Sequence, residues 1–205
     1  MIGNKLEQDI IGVFQYNLCS TFSINEVSKK LHKAYPYINK KTNFFFDENI
    51  LKKIPIGKSY QCFLNLSDEK TRIFMAMNEI NRKQALLTGN GEYASLDQEI
   101  AQLTKKFSIE SILLYKRSII FILPDLGKKD KIMEYTVLTK NYTILFFTKS
   151  SFQEYFIDNN DIQKYHTVLS GTDWFIRMIA ELEEKLLMKA LVGDKTITKE
   201  SSKGK

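Results

Sequence analysis

Apolar positions open the chain at helical spacing. Leu6, Ile10, Val13, Phe14 and Leu18 recur at intervals of three and four and predict one amphipathic helix. A second helix is predicted from Ser23, because Ser23-Ile24-Asn25-Glu26 fits a capping box. There the serine accepts from a free backbone N–H and the glutamate reaches back. Its inner stripe is Ile24, Val27 and Leu31. Tyr35 precedes Pro36 and is pushed out of the helical region, which ends this helix. Pro36 in turn suits the first turn of a third helix, where a missing N–H costs nothing. That helix is predicted to run to about Lys53, with Ile38, Thr42, Phe45 and Asn49 facing inward.

The period then changes to two. Ile54–Leu66 reads as a hairpin: Gly57-Lys58 marks the turn, and Tyr60, Cys62 and Leu64 alternate with Gln61, Phe63 and Asn65. Ser67-Asp68-Glu69 caps a fourth helix whose apolar stripe is Ile73, Met77 and Ile80. Thr88–Glu92, with two glycines and an asparagine, punctuates the chain as a linker. Beyond it come a helix at 96–107, strands at 111–116 and 118–123, and a lysine-rich turn or helix at 127–134. An aromatic strand at 142–147 and a short helix at 150–157 follow, then a loop, Asp158-Asn-Asn-Asp161. A brief strand at 167–169 is closed by Gly171, and Thr172 caps one long helix to about Leu191. The polar residues 194–205 are expected to be a disordered tail. The predicted organisation is therefore 1–88, 92–193 and the tail, in an α+β class.

Charge sharpens this picture. The 205 residues carry a net +6 with 43% hydrophobic and 26% charged content, the balance of a folded chain. Between Lys29 and Lys58 there are eight lysines (29, 30, 33, 40, 41, 52, 53 and 58) against Asp47 and Glu48, so the whole excess sits in one segment. Such localisation points to an anionic partner. The two cysteines, Cys19 and Cys62, lie in apolar stretches and read as buried thiols. With only His32 and His166 beside them there is no metal-ligand spacing, and neither metal nor cofactor is expected. The N-terminus has no signal-peptide core, and the apolar runs at 112–115 and 119–123 are strand-sized. No membrane partner is expected, and the cytoplasm is the default location.

Three helices, a basic segment, a glycine-centred hairpin and a closing helix follow the order of a winged helix-turn-helix. In that arrangement the third helix enters the major groove, ~12 Å wide, and the hairpin turn reaches nearby phosphates. The third helix would present Tyr37, Lys40, Lys41 and Phe44 outward, with Asn39 and Asn43 beside them. Asparagine can read adenine bidentately, and lysine can donate to guanine or neutralise phosphate. Lys29 at the end of the second helix, and Lys58 and Ser59 at the turn, are the expected backbone contacts.

Ile56-Gly-Lys-Ser59 followed by Leu64-Asn-Leu66 before a charged helix resembles the winged-helix domains of archaeal regulators related to the multiple-antibiotic-resistance-regulator group. The resemblance covers residues 23–83 and implies a transcriptional regulator. The Phe44-Phe45-Phe46 run departs from it, since a recognition helix rarely exposes so many rings.

In the second half, Ile144–Phe152, His166–Gly171 and Trp174-Phe175 are similar to the end of minimal nucleotidyltransferase domains, which some archaeal proteins carry after a winged helix. Those domains require a Gly-Ser turn and a spaced aspartate pair that holds Mg²⁺. No Gly-Ser and no Asp-x-Asp occurs in the chain, and Asp125 stands alone after Ile119–Pro124. The resemblance thus implies a degenerate domain without catalysis. Serine-hydrolase and phosphate-loop motifs are missing as well.

The reading is a winged helix-turn-helix followed by a small C-terminal α/β domain. It is expected to bind double-stranded DNA sequence-specifically as a homodimer, with the helix at 172–191 either forming the seam or packing inside its own domain. The alternatives are a winged helix used as a protein-interaction or RNA-binding module, and a surviving nucleotidyltransferase.

Overall fold

Asn4 and Glu7 begin the first helix, α1 (Lys5–Gln15). Asn4 Oδ1 accepts from the Glu7 N–H at 3.0 Å and a Glu7 carboxylate oxygen accepts from the Asn4 N–H at 3.2 Å. Ser23 and Glu26 make the same reciprocal pair at the start of α2 (Ile24–Leu31). Each pair satisfies donors that a helix start leaves open, a contribution of about 1 kcal/mol. His32, in the left-handed region at φ 51°, ends α2, and only His32, Lys33 and Ala34 separate it from α3 (Tyr35–Asp47). Helix α3 buries Ile38, Thr42 and Phe45 along one side.

Helix α3 stops at Asp47, six residues short of the predicted end. Asn49 takes φ 59°, a conformation asparagine tolerates, and the Ile50 N–H returns to the Phe45 carbonyl at 2.8 Å. Asn49 is consequently exposed, not inward, and Leu51–Lys53 are strand. Strands β1 (Leu51–Ile56) and β2 (Ser59–Leu64) pair antiparallel, Leu51 opposite Leu64 and Ile56 opposite Ser59. Gly57, at φ 60°, takes the first of the two turn positions, the one that a II′ turn reserves for glycine. The base of β2 is anchored by a bridge in which Cys62 and Phe22 exchange backbone hydrogen bonds at 2.8 and 3.2 Å. Ser59 and Tyr60 are both exposed and Cys62, Phe63 and Leu64 all buried, so β2 grades from open tip to buried base and the predicted alternation is not seen.

Helix α4 (Glu69–Gly89) is capped by Asp68, whose carboxylate accepts from the Lys70 and Thr71 N–H groups. Its rotation differs from the prediction. Thr71, Phe74, Met75, Asn78 and Glu79 are buried, whereas Ile73 and Ile80 are 49% and 47% exposed. Polar groups tolerate the inner side because they find partners there: Thr71 Oγ1 donates to the Ile50 carbonyl at 3.2 Å.

The computed structural model describes residues 4–89 and 92–200, so Asn90 and Gly91 of the predicted linker lie outside the described residues. Two units separate by packing. One comprises the chain up to Met75 and again from Ile179; the other is Ala76–Met178.

The second unit is built on a four-stranded sheet in the order β5-β4-β3-β6. Strands β3 (Ser111–Tyr115) and β4 (Ser118–Leu123) form a hairpin, and β6 (His166–Ser170) pairs antiparallel with β3. Strand β5 (Thr143–Thr148) runs parallel to β4, which needs a crossover; a 3-10 turn at Leu126–Lys128 and α6 (Lys129–Tyr135) lie on it. On one face Ile112, Leu114, Ile119, Phe121 and Leu123 pack with Leu96, Ile100 and Leu103 of α5 (Glu92–Lys106). Elsewhere Phe152 and Phe156 of α7 (Lys149–Asp158) cluster with Phe175 of α9 (Thr172–Ala180) and with His166.

Three local expectations change here. Asn159 accepts from the Asp161 and Ile162 N–H groups and starts α8 (Asn160–Tyr165), so the predicted loop is a one-residue helix break. The predicted long helix is interrupted at Glu181-Leu182, giving α9 and α10 (Glu183–Glu200). Helix α10 also continues past Asp194, where a disordered tail was predicted; residues 201–205 lie outside the described residues. Among the described residues no helix is long and apolar enough to cross a membrane.

Candidate nucleic-acid interface

Burying Ile38, Thr42 and Phe45 turns the opposite side of α3 to solvent, and Tyr37, Lys40, Asn43 and Phe44 are exposed there. Asn39 is half-buried on the flank it shares, at helical spacing, with Tyr35 and Phe46. That flank meets the hairpin: the Phe46 and Tyr60 rings cross edge-on at 5.8 Å. Lys53 Nζ sits 4.6 Å from the Phe46 centroid and 5.4 Å from that of Tyr60. Partial burial raises the Tyr60 hydroxyl above its ordinary pKa, with smaller upward contributions from Cys62 and Tyr35, which puts Tyr35 in the same neighbourhood. Burial likewise pushes the Cys62 thiol up to about 12; nearby Lys53 lowers it and Glu26 raises it.

The lysines of the basic segment divide by what surrounds them. Lys41, expected to face outward, is half-buried and donates to Glu7 Oε1 of α1 at 2.7 Å. Its position, one step around the helix from Lys40, points it at a carboxylate that sequence spacing could not place. Lys52 is bound by Glu183 of α10. Lys29, Lys33, Lys40 and Lys58 are exposed and make no ion pair among the described residues. Lys58 stands at the hairpin turn, and beside it Ser59 Oγ donates to the Ile56 carbonyl at 3.1 Å. Four of the expected contact residues thus share the exposed side of α3, with Lys29 at the end of α2 and Lys58 and Ser59 at the hairpin tip.

Lys53, Tyr35, Phe46 and Tyr60 are the residues sequence reasoning missed. For Lys53 the signal was the hairpin register. Counting back from Gly57-Lys58 places Lys53 opposite Cys62, on the same side as Tyr60, once Leu51–Lys53 is read as strand.

No family model, curated protein or solved structure matches the chain. What the surface can do follows from its chemistry alone. It offers exposed ammonium groups, two amides and several rings on one helix and one hairpin.

In the second unit, Asp125 is exposed and caps the 3-10 turn, its Oδ1 accepting from the Gly127 N–H at 2.8 Å. Among the described residues no group of three His, Cys, Asp or Glu side chains is placed to hold a metal ion. His166 is buried, with Nδ1 2.6 Å from the Ile162 carbonyl and Nε2 3.5 Å from Glu79 Oε1.

Proposed function

We propose that the first unit is a winged helix-turn-helix that binds double-stranded DNA, and that the protein is a sequence-specific transcriptional regulator. One observation carries this reading: the segment holding the chain's excess positive charge is also the segment that displays α3 and the hairpin turn to solvent. The three-residue turn between α2 and α3 is the length used by helix-turn-helix modules. Lys40 and Asn43 on α3 are suited to base edges and phosphates, and Lys29 and Lys58 to the backbone on either side. The likeness to archaeal regulators rests on the same hairpin residues, Ile56–Ser59 and Leu64–Leu66.

A homodimer fits this reading because two copies on symmetric half-sites double the phosphate contacts. Of the helix expected as its seam, Leu182, Leu186 and Ala190 are buried within one chain, and Met188 and Val192, one turn apart, remain 63% exposed. The second unit is read as non-catalytic for phosphoryl transfer, since its one acid beyond a central strand is engaged in a cap.

A salt series of binding to random duplex DNA tests the proposal. Affinity should fall steeply as salt rises, and no binding at low salt would overturn it. Specificity is tested at Asn43: Asn43→Ala should cost about 1–3 kcal/mol on a selected site and little on random duplex.

A further inference from the structure

Exposed rings are unevenly distributed over the first unit. Among its described residues the exposed aromatic side chains are Tyr35 (48%), Tyr37 (60%), Phe44 (46%) and Tyr60 (36%). All four fall inside or next to the lysine-rich segment, on α3 and the hairpin. Phe46 extends the group, half-buried against Tyr60 under the Lys53 ammonium. Lys40 lies between Tyr37 and Phe44 on the outer row of α3, and Lys41 Nζ is 6.0 Å from the Phe44 centroid.

A fully paired duplex has little use for these rings. Each base face is covered by its neighbours in the stack, so a side chain in the major groove meets only base edges and thymine methyl groups. Rings held in water at a polyanion-binding surface find their full partner only where base faces are free. Stacking of an aromatic ring on an unpaired base supplies that partner, is tolerant of sequence, and works best when cations nearby take the adjoining phosphates. The alternation of rings and ammonium groups along α3 and across to β2 matches this requirement. So does the diversion of Lys41 to Glu7, which leaves one lysine fewer on the α3 face for reading paired edges.

We propose that this surface engages DNA where the strands are separated, with Tyr37 and Phe44 stacking on unpaired bases and Lys40 and Lys58 holding the flanking phosphates. The proposal rests on the DNA-binding reading above and specifies the form of DNA that the surface selects. Sequence information from Asn43 and strand opening are compatible, because the wing and α2 still contact the adjoining paired backbone.

The test compares three DNA ligands of equal length at one salt concentration, by fluorescence anisotropy with the full chain. They are a perfect duplex, the same duplex with a short central mismatch bubble, and one of its strands alone. The bubble should bind at least about fivefold tighter than the perfect duplex, the scale of one stacked base. Tyr37→Ala with Phe44→Ala should erase that preference, so that bubble and perfect duplex bind the variant alike, while Tyr37→Phe and Phe44→Tyr keep it. Both side chains are exposed, and an unchanged thermal melt of the double variant checks that it remains folded. Equal affinity for bubble and perfect duplex overturns the inference and leaves the DNA-binding reading in place. A bubble preference that persists in the double alanine variant also overturns it, because the rings then do not produce it. A tighter hold on the single strand than on the bubble overturns the junction geometry. No binding to any of the three removes the DNA-binding reading and the inference with it.

Discussion

Lys41 reaches back to α1 and donates to Glu7 Oε1 at 2.7 Å. Lys40, its neighbour, is exposed. Two adjacent lysines of one helix are thus assigned different work. Lys40→Ala should lower the slope of log affinity against log salt by about one unit on any duplex. Lys41→Ala should leave that slope unchanged and reduce stability by about 1 kcal/mol, since Glu7 is nearly buried but the lysine is partly solvated. Salt titrations and denaturant melts of the two variants separate the effects. A wild-type slope in both would mean that Lys40 does not contact phosphate.

Lys58 projects from the hairpin tip with no ion pair among the described residues. Lys58→Glu should weaken duplex binding at low salt by about tenfold or more, as an attraction becomes a repulsion. The melting temperature should stay within about a degree, surface substitutions of this kind being nearly neutral. A fall in melting temperature that accompanies the loss of binding would make Lys58 a structural residue.

Cys62 predicts the alkaline limit of the first unit. Its thiol is raised from 9.0 to about 12 by burial, so the folded chain keeps a proton that the unfolded chain releases. The stability linked to it is complete below about pH 9 and drains away as pH climbs toward 12. Denaturant midpoints of the wild type should fall over that interval, and Cys62→Ala should show a flatter decline from a lower starting value. Alkylation at pH 8 should modify Cys19, which is partly exposed, and spare Cys62 until the chain unfolds.

Gly171 links β6 to α9 at φ 73°. A Cβ there would come within 2.8 Å of Ser111 Cα and closer still to the Glu110 carbonyl oxygen. Neither obstacle is a flexible side-chain tip, so the backbone itself would have to move. Gly171→Ala should destabilise the second unit by about 3 kcal/mol, combining left-handed strain with overpacking. A thermal melt within a degree of the wild type would refute this.

The sequence disclosed those elements whose local chemistry had one solution. Ser23 with Glu26, Pro36 at the head of α3, and Gly57-Lys58 at the hairpin turn each leave the backbone a single cheap arrangement. Where two solutions were available it misled. On α4, Ile73, Met77 and Ile80 form as regular a stripe as Thr71, Phe74, Asn78 and Glu79, and tertiary contacts, such as the Thr71 hydrogen bond to Ile50 and the Phe74 ring edge-on to Phe45, decide which turns inward. The ends of α3 and α9 carry neither glycine nor proline, and Asn49 and Glu181-Leu182 are quiet signals. At the candidate interface the lysines of α3 were legible, but Lys41's partner lies 34 positions away in sequence. Lys53 and Tyr60 meet only after the strand register is known.

The first unit is assembled from both sides of the second in chain order, and Glu183 shows what that entails. Its carboxylate binds Lys52 and accepts from the Ser67 N–H at 3.0 Å, although more than a hundred residues intervene. On the ribosome, the stretch from Ala76 to Met178 can complete its fold while these two groups still wait for α10 to be made. The lysine-rich segment, synthesised early, is therefore finished last. Excising 92–193 as a fragment would carry part of α10 away from the unit it belongs to.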